Sequence, residues 1–467
     1  MNGDSHPLRL VMLPWLGFGH ICPFIQLSNA LIDHGIEVTF LSPPTLVAKI
    51  RATLHPSIPI VNYNLTPVPG LPAGVESTVA AQSANLLLME ALDASKPQIE
   101  GLLRKLNPTI IVFDFVYYWL PQLADSLGIK SVFFYIGTAL SATPMKIFTK
   151  LHPKKLALSV VEMLPVKVVS AFTGLKLYET RDLLQFVYKH QRSSISPCSR
   201  MLAVMMMSSS VLLKSATELE DPYINFVTSL CGKKALLCGT LTSKPPTGEL
   251  EGRWEKWLSQ FPSRSVVFCS FGSEFCLSIE QIAELVAGLE MSGCPFLAVL
   301  NFSAQAKEHG LEAKVVGERM GGKGVVHSGW VQQQHILRHP SVGAHIGHGG
   351  LSSMMEAIIG GCQTVLLPQT MDQFLNAKLV VKRLKAGVSV KRRSRDGWFT
   401  REALCEAVKM AMKDETEKAK AMRANNTKLR EFLLNEKVQQ QYVQGFVAKL
   451  KEMASASTPS PSMSLTI

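Results

Sequence analysis

Charge is sparse in this chain: Asp, Glu, Lys and Arg make up 18% of its 467 residues, against 47% hydrophobic residues. That balance excludes an intrinsically disordered protein and leaves ample apolar mass for large buried cores. Long apolar runs are missing too. No stretch approaches the ~18 residues of a membrane span, and the oiliest cluster, Met201 to Met207, is too short and reads as core packing. Paired cysteines are also lacking. The nine cysteines are odd in number, no CxxC occurs, and several sit in apolar runs, as Cys269 does. They are expected to be reduced, buried thiols of a cytoplasmic protein. The polar start, Met1 to Arg9, has no apolar signal core. The net charge is +12, but the densest basic stretch, Lys391 to Arg395, reads as a solvated loop, so no nucleic-acid partner is expected.

Nucleotide fingerprints are incomplete in an informative way. No GxxxxGK[ST] occurs, which excludes a P-loop. Gly17-Phe18-Gly19 opens a dinucleotide-like turn, but Cys22 stands where the third glycine belongs. The acid that would hold a ribose at the end of the next strand is absent, because Glu37 lies at that strand's start. An NAD-dependent oxidoreductase is therefore a distant reading. His335 and His339 lie one helical turn apart, yet no third ligand follows with a recognised spacing, so no metal is expected.

What is present is a pattern that runs twice. Leu8–Leu13 predicts a strand, Ile21–His34 a helix stopped by Gly35, and Ile36–Leu41 a second strand, which together form a βαβ unit of a parallel sheet. Thr109–Phe113 and Ser131–Tyr135 read as further strands. After the linker-like Leu241 to Gly248, the pattern restarts. Strand Ser265–Ser270, helix Ile279–Met291 and strand Pro295–Leu300 come first. Strand Val342–Ile346, helix Ser352–Gly360 and strand Thr364–Leu367 follow. The fold class expected is α/β, with two Rossmann-like domains facing each other across a cleft, where ligands bind at the carboxyl ends of the strands. The expected division is an N-terminal domain 1–240, a linker 241–252, a C-terminal domain 253–430, a closing helix 431–453 and a disordered tail 454–467.

Three residues stand out chemically. His20 lies at a strand-to-helix turn, where α/β folds place reactive groups, and the helix N-terminus favours its neutral form, which suits a general base. A lone histidine is more often structural. Asp114 closes a strand and is either a helix cap or a functional acid; facing His20, it would accept the second imidazole N–H and fix the tautomer. His348 sits in the Gly-rich turn 347–350 before a helix, where backbone N–H groups would bind a phosphate or diphosphate.

The segment from Trp330 to Gln373, WVQQQHILRHPSVGAHIGHGGLSSMMEAIIGGCQTVLLPQTMDQ, resembles without a gap the signature box of the plant family 1 UDP-sugar glycosyltransferases. The turn Gly17–His20, the Phe271–Ser273 turn and the Asp396–Phe399 segment extend the resemblance over nearly the whole chain. It implies a two-domain GT-B fold whose last helix, here about 431–453, returns to the N-terminal domain, and an inverting transfer with no metal or other cofactor. Trp330 would stack on uracil, with the Val331 backbone reading its edge. Gln333 and Glu356 would hold the ribose. Ser273, His348 and Ser353 would grip the diphosphate, and Asp372 and Gln373 the sugar. His20 would be the base and Asp114 its partner.

Two positions depart from the box: Leu351 replaces its usual Trp and Ser352 its usual Asn. Leu351 makes the sugar wall smaller and apolar, while Ser352 can still donate a hydrogen bond and cap the helix. Within the family the chain looks like the branch that adds a second sugar to flavonoid or anthocyanin glucosides, and its rhamnosyltransferases in particular. The implied donor is UDP-rhamnose, whose 6-methyl group suits an apolar wall. UDP-glucose and UDP-xylose stay open, as do a flavonoid aglycone or a terpenoid acceptor, and a protein that binds UDP-sugar without transfer. The acceptor would be met by loops such as 65–82 and 140–200. A monomer without membrane span is expected.

Overall fold

The computed structural model describes residues 8–81, 84–145, 174–188, 195–242, 245–272, 275–303, 307–308, 310, 312, 315–370 and 372–455. Ser273, the residues before 8, those from 456 on, and parts of the 140–200 loop lie outside the described residues. The chain forms two compact units: Met1–Leu164 with Leu184–Leu241 and Lys437–Ile467, and Pro165–Leu183 with Thr242–Glu436.

The first unit is built on seven parallel strands: β1 (Arg9–Leu13), β2 (Glu37–Ser42), β3 (Ile60–Asn62), β4 (Ile110–Phe113), β5 (Lys130–Tyr135), β6 (Ser210–Leu213) and β7 (Leu236–Leu237). They lie in the order β3-β2-β1-β4-β5-β6-β7. Helices cover both faces of such a sheet, so its inner strands are apolar at every position. In β4, Ile110, Ile111, Val112 and Phe113 are all fully buried. The chain order reverses between β1 and β4, which pair in register at Leu13 and Phe113. A crevice opens at such a reversal, outside the carboxyl ends of the two strands. Helix α1 (Phe18–Ile32) follows β1 at this point.

The second unit repeats the plan with β8 (Val266–Ser270), β9 (Phe296–Val299), β10 (Gly317–Arg319), β11 (Gly324–His327), β12 (Val342–Gly347), β13 (Gln363–Leu366) and β14 (Gly387–Ser389). Their order is β10-β11-β9-β8-β12-β13-β14, parallel except for the antiparallel β10–β11 pair. Its reversal lies between β8 and β12, which pair at Ser270 and Gly347. The helices that matter here are α2 (Leu177–Tyr188), α3 (Gln333–Arg338), α4 (Leu351–Ile359), α5 (Asp372–Lys378), α6 (Glu417–Leu434) and α7 (Glu436–Ser455).

Three expected boundaries shift. Residues 174–183 belong to the second unit although the expected N-terminal domain ran unbroken to 240. The closing helix does not begin at 431. Asn435 leaves helical geometry (φ −74°, ψ 88°) and ends α6, so residues 431–434 complete α6 and α7 starts afresh at Glu436. Ala454 and Ser455, expected in the tail, are the last turn of α7. From Lys437 on, α7 belongs to the first unit. There the Tyr442 hydroxyl accepts from the Thr217 N–H (2.9 Å) and donates to Glu218 (2.6 Å). Gln439 Oε1 accepts from the backbone N–H and hydroxyl of Thr240 (3.0 and 2.9 Å). Phe446 and Leu450 are buried in that unit's core.

Candidate functional site

His20 and Asp114, far apart in sequence, meet at the reversal point of the first sheet. His20 occupies the third position of α1, whose N-cap is Gly17. Its Nδ1 lies 2.7 Å from Asp114 Oδ2. Asp114 follows β4 directly. Its carboxylate is almost wholly buried and accepts two further hydrogen bonds, from the backbone N–H groups of Phe115 (2.8 Å, to Oδ1) and Trp15 (3.3 Å, to Oδ2). All these partners are donors, so the acid acts as acceptor toward the ring as well. The proton then sits on His20 Nδ1 and the lone pair on Nε2. The imidazole side chain stays 29% exposed and packs against the Phe115 ring at 5.8 Å between centroids. Asp114 is thus the imidazole's partner and not a helix cap. The pair has the form of a general base with its orienting acid.

The second unit gathers the other expected residues around its own reversal. Trp330 is 82% exposed, a large apolar ring offered to solvent just before α3, while Val331 beside it is buried. An exposed indole of that kind offers a flat apolar face to solvent, suited to stacking. On α3, Gln333 Nε2 donates to Glu356 Oε2 (3.0 Å) and Gln334 Nε2 to Glu356 Oε1 (2.7 Å), while Ser270 Oγ donates to Gln333 Oε1 (3.1 Å). Glu356 is carried by α4. Its carboxylate is held in place by two amides and keeps further acceptor capacity for hydroxyl donors. Gln334 and Ser270 were not singled out from sequence. The glutamine repeat 332–334 was the available signal, but a repeat does not say which of its members turns toward the acid.

His348 follows β12 in the Gly-rich turn. Its ring lies over Gly272, where a Cβ would come 3.1 Å from Cε1, and beside Gly350, where a Cβ would come 2.5 Å from Nε2. Gly272 has φ +74°, so the glycine serves both the backbone and the ring. Burial pushes the His348 imidazole down to about 4, and its buried Nδ1 has no hydrogen-bond partner among the described residues. At neutral pH it is an uncharged ring. Helix α4 begins at Leu351 with Gly350 as N-cap and no side-chain cap. Ser352 therefore does not cap the helix, contrary to expectation, because it already lies inside the first turn. The first-turn N–H groups of Leu351, Ser352 and Ser353 have no intrahelical acceptor, which makes this end of α4 suited to an anion. Leu351 is 9% exposed, so the apolar residue at that position is largely tucked in.

Asp372 and Gln373 open α5. Asn376, fully buried, donates to Asp372 Oδ2 (2.9 Å) and to the Gly349 carbonyl (3.0 Å), which ties α5 to the Gly-rich turn. Gln373 Oε1 accepts from the backbone N–H groups of Gln369 (3.0 Å) and Thr370 (3.2 Å). With its carbonyl engaged, the Gln373 side chain has its amide donor to offer a ligand. His335 and His339 do not converge: His335 Nε2 is 3.3 Å from the Gly248 carbonyl and His339 Nδ1 2.8 Å from Ser341 Oγ. Among the described residues, no group of three or more His, Cys, Asp or Glu is placed to hold a metal ion.

Residues 200–428 match the family described as UDP-glucoronosyl and UDP-glucosyl transferase. UDP-glycosyltransferase 79A2 of Stevia rebaudiana is 40% identical, covering 97% of this chain and 100% of that protein. The anthocyanidin-3-O-glucoside rhamnosyltransferase of Petunia hybrida is 39% identical, covering 98% and 99%. A cyanidin 3-O-galactoside 2''-O-xylosyltransferase of Actinidia chinensis is 37% identical, covering 95% and 98%. An anthocyanidin 3-O-glucoside 2''-O-glucosyltransferase of Ipomoea nil is 34% identical, covering 97% and 100%. Among solved structures, UGT73P12 of Glycyrrhiza uralensis has the same fold, with TM-score 0.75 at 22% identity over 96% of each chain. Two doubly wound sheets, an imidazole–carboxylate pair and an ungapped signature box converge on one conclusion: the chain belongs to the plant family 1 UDP-glycosyltransferases, of GT-B fold, and is a glycosyl-transferring enzyme.

Proposed function

We propose that this enzyme transfers a sugar from a UDP-sugar, with inversion, onto a hydroxyl of a sugar already attached to a flavonoid or anthocyanin, and that its donor is UDP-rhamnose. The observation that carries the chemistry is the 2.7 Å contact between His20 Nδ1 and the buried Asp114 carboxylate. His20 Nε2 takes the proton of the acceptor hydroxyl as its oxygen attacks the anomeric carbon. Asp114 stabilises the imidazolium that results. UDP departs from the opposite face in the same step, which inverts that carbon. The charge arriving on UDP is met by the first-turn amides of α4 and by neutral His348 as a hydrogen-bond donor. Uracil stacks on Trp330, the ribose hydroxyls bond Glu356 and Gln333, and the sugar hydroxyls bond Asp372 and Gln373.

The substrate class rests on the relatives. The rhamnosyl-, xylosyl- and glucosyltransferases reported above carry names that specify an anthocyanidin or cyanidin 3-O-glycoside as acceptor. The donor rests on Leu351, whose aliphatic side chain suits a 6-methyl group better than a hydroxymethyl. The reading needs no metal, a monomer suffices for it, and it places the enzyme in the cytoplasm. No helix among the described residues is long and apolar enough to cross a membrane.

The test is a panel of UDP-rhamnose, UDP-glucose, UDP-xylose and UDP-galactose against quercetin 3-O-glucoside and against quercetin. Product from the glucoside, fastest with UDP-rhamnose, is expected. Product from the aglycone alone overturns the acceptor, and a preference for another donor overturns the sugar. The same assay after exhaustive dialysis against EDTA should retain full turnover. A His20→Ala variant should bind UDP normally and turn over at least ~100-fold more slowly, the scale on which a positioned base contributes.

A further inference from the structure

Helix α2 comes from the first half of the chain, yet its opening turns are part of the second unit. There they hold the segment that carries Asp372 and Gln373 at three points. Ahead of α5, the Thr370 hydroxyl lies between both oxygens of Asp182, at 3.0 and 2.9 Å. In the middle, the Tyr178 ring meets Phe374 edge-on at 5.6 Å between centroids. At the end, the buried Glu179 carboxylate pairs with Lys378 at 3.4 Å. The residues expected to bind sugar hydroxyls sit between the first two of these points. Thr370 also donates its backbone N–H to Gln373 Oε1 (3.2 Å), so one residue links Asp182 directly to the amide of Gln373.

We infer that α2 is a specificity element for the donor sugar, and that Asp182 is a positioning residue acting through Thr370 on Gln373. A hydroxyl donating to a carboxylate is charge-assisted and directional. It fixes where Thr370 presents its N–H. That N–H holds the Gln373 carbonyl, which in turn leaves the amide donor aimed by a chain of bonds instead of by its own free rotation. A sub-ångström drift there changes which sugar hydroxyls are met, while the uracil, ribose and diphosphate contacts at Trp330, α3, His348 and the start of α4 are unaffected. The inference rests on Asp372 and Gln373 being the sugar contacts, and it adds where their geometry comes from.

Asp182→Ala in the full-length enzyme should raise the KM for the preferred UDP-sugar about tenfold, toward the lower end of what a hydrogen bond to a charged group contributes. The affinity for UDP itself and the KM for the acceptor should stay within twofold. The ratio of kcat/KM between a 6-deoxy and a 6-hydroxymethyl donor should shift. Thr370→Val, which removes the hydroxyl at nearly constant volume, should reproduce these effects, and the double variant should add nothing further. Asp182→Asn keeps an acceptor oxygen and should recover most of the donor affinity. Gln373→Ala is the reference arm. If Gln373→Ala raises the donor KM and Asp182→Ala does not, this inference fails while the sugar site stands. If Gln373→Ala leaves the donor KM unchanged, the sugar site itself is wrong. Equal losses of UDP affinity, acceptor affinity and melting temperature in Asp182→Ala mark a merely structural residue and overturn the proposal.

Discussion

Asp114 illustrates how one side chain does work that no substitution of similar shape reproduces. Its oxygens accept an imidazole N–H and two backbone N–H groups in a setting from which water is largely excluded. Asparagine has nearly the same outline but brings an NH2 where one of those donors points. Asp114→Asn should therefore fold, bind UDP with unchanged affinity, and lose about 100-fold or more in turnover, because the ring is no longer held in the tautomer that leaves the lone pair on Nε2. Steady-state kinetics beside UDP titration calorimetry checks both halves. His20 and Asp114 were legible in the sequence as individuals, since one lies at a strand-to-helix turn and the other directly follows a strand of an α/β pattern. Their meeting was not, because it depends on which strands are neighbours. Arg392 is the opposite case. It was expected in solvent with its basic neighbours, but its guanidinium donates to the Pro368 and Gly397 carbonyls under the Tyr178 ring. Charge alone marked it for the surface, and only the fold supplies the carbonyls that accept it.

At the scale of elements, the turn from β12 to α4 is closely packed around the His348 ring. Gly350→Ala would put a methyl group 2.5 Å from His348 Nε2. The ring must move off its place, so UDP affinity should fall about tenfold with little change in acceptor KM, a loss measurable by calorimetry. The same element sets an acid limit on the fold. Burial, with a smaller contribution from His348, pushes the His345 imidazole down to about 3, and burial pushes His348 down to about 4. Both lie below the ~6.5 of an unfolded histidine, so the unfolded chain binds more protons as pH falls. The associated stability is complete above ~6.5 and is lost as pH drops toward those lower values. By pH 5 each ring should cost roughly 2 kcal/mol. His345 stacks on Phe268 at 5.8 Å, and neither of its nitrogens has a partner among the described residues. Replacing it with Phe should remove about half of what these two rings lose between pH 7 and pH 5, read as a smaller pH dependence of stability in urea melts. The long strands of both sheets were readable because burial on two faces demands continuous apolar runs. β7, with two residues, β3, β10 and β14, with three each, and the four-residue β6 and β11 were not, since so short a segment carries little period.

For the whole molecule, sequence order and spatial grouping part ways twice: residues 174–183 join the second unit and α7 joins the first. Neither exchange is written in local composition, because α2 and α7 read as ordinary amphipathic helices whose partners lie far away in sequence; the return of α7 was implied by the family resemblance alone, and that of residues 174–183 by nothing in the sequence. The consequence is that the end of the chain stabilises a unit begun at its start. Phe446 is fully buried in the first core, so Phe446→Ala should cost about 3–5 kcal/mol, the usual range for a large aromatic truncated in a core. That cost should appear in the first unit alone. Scanning calorimetry of the intact chain can assign it, because UDP bound as proposed at Trp330, α3 and α4 would raise the second unit's unfolding transition by mass action. In Phe446→Ala the transition that UDP leaves in place should move down by several degrees, and the UDP-sensitive one should keep its position. If instead the UDP-sensitive transition falls by the same amount, α7 stabilises the two units jointly, and the division of the core between them is not an energetic one.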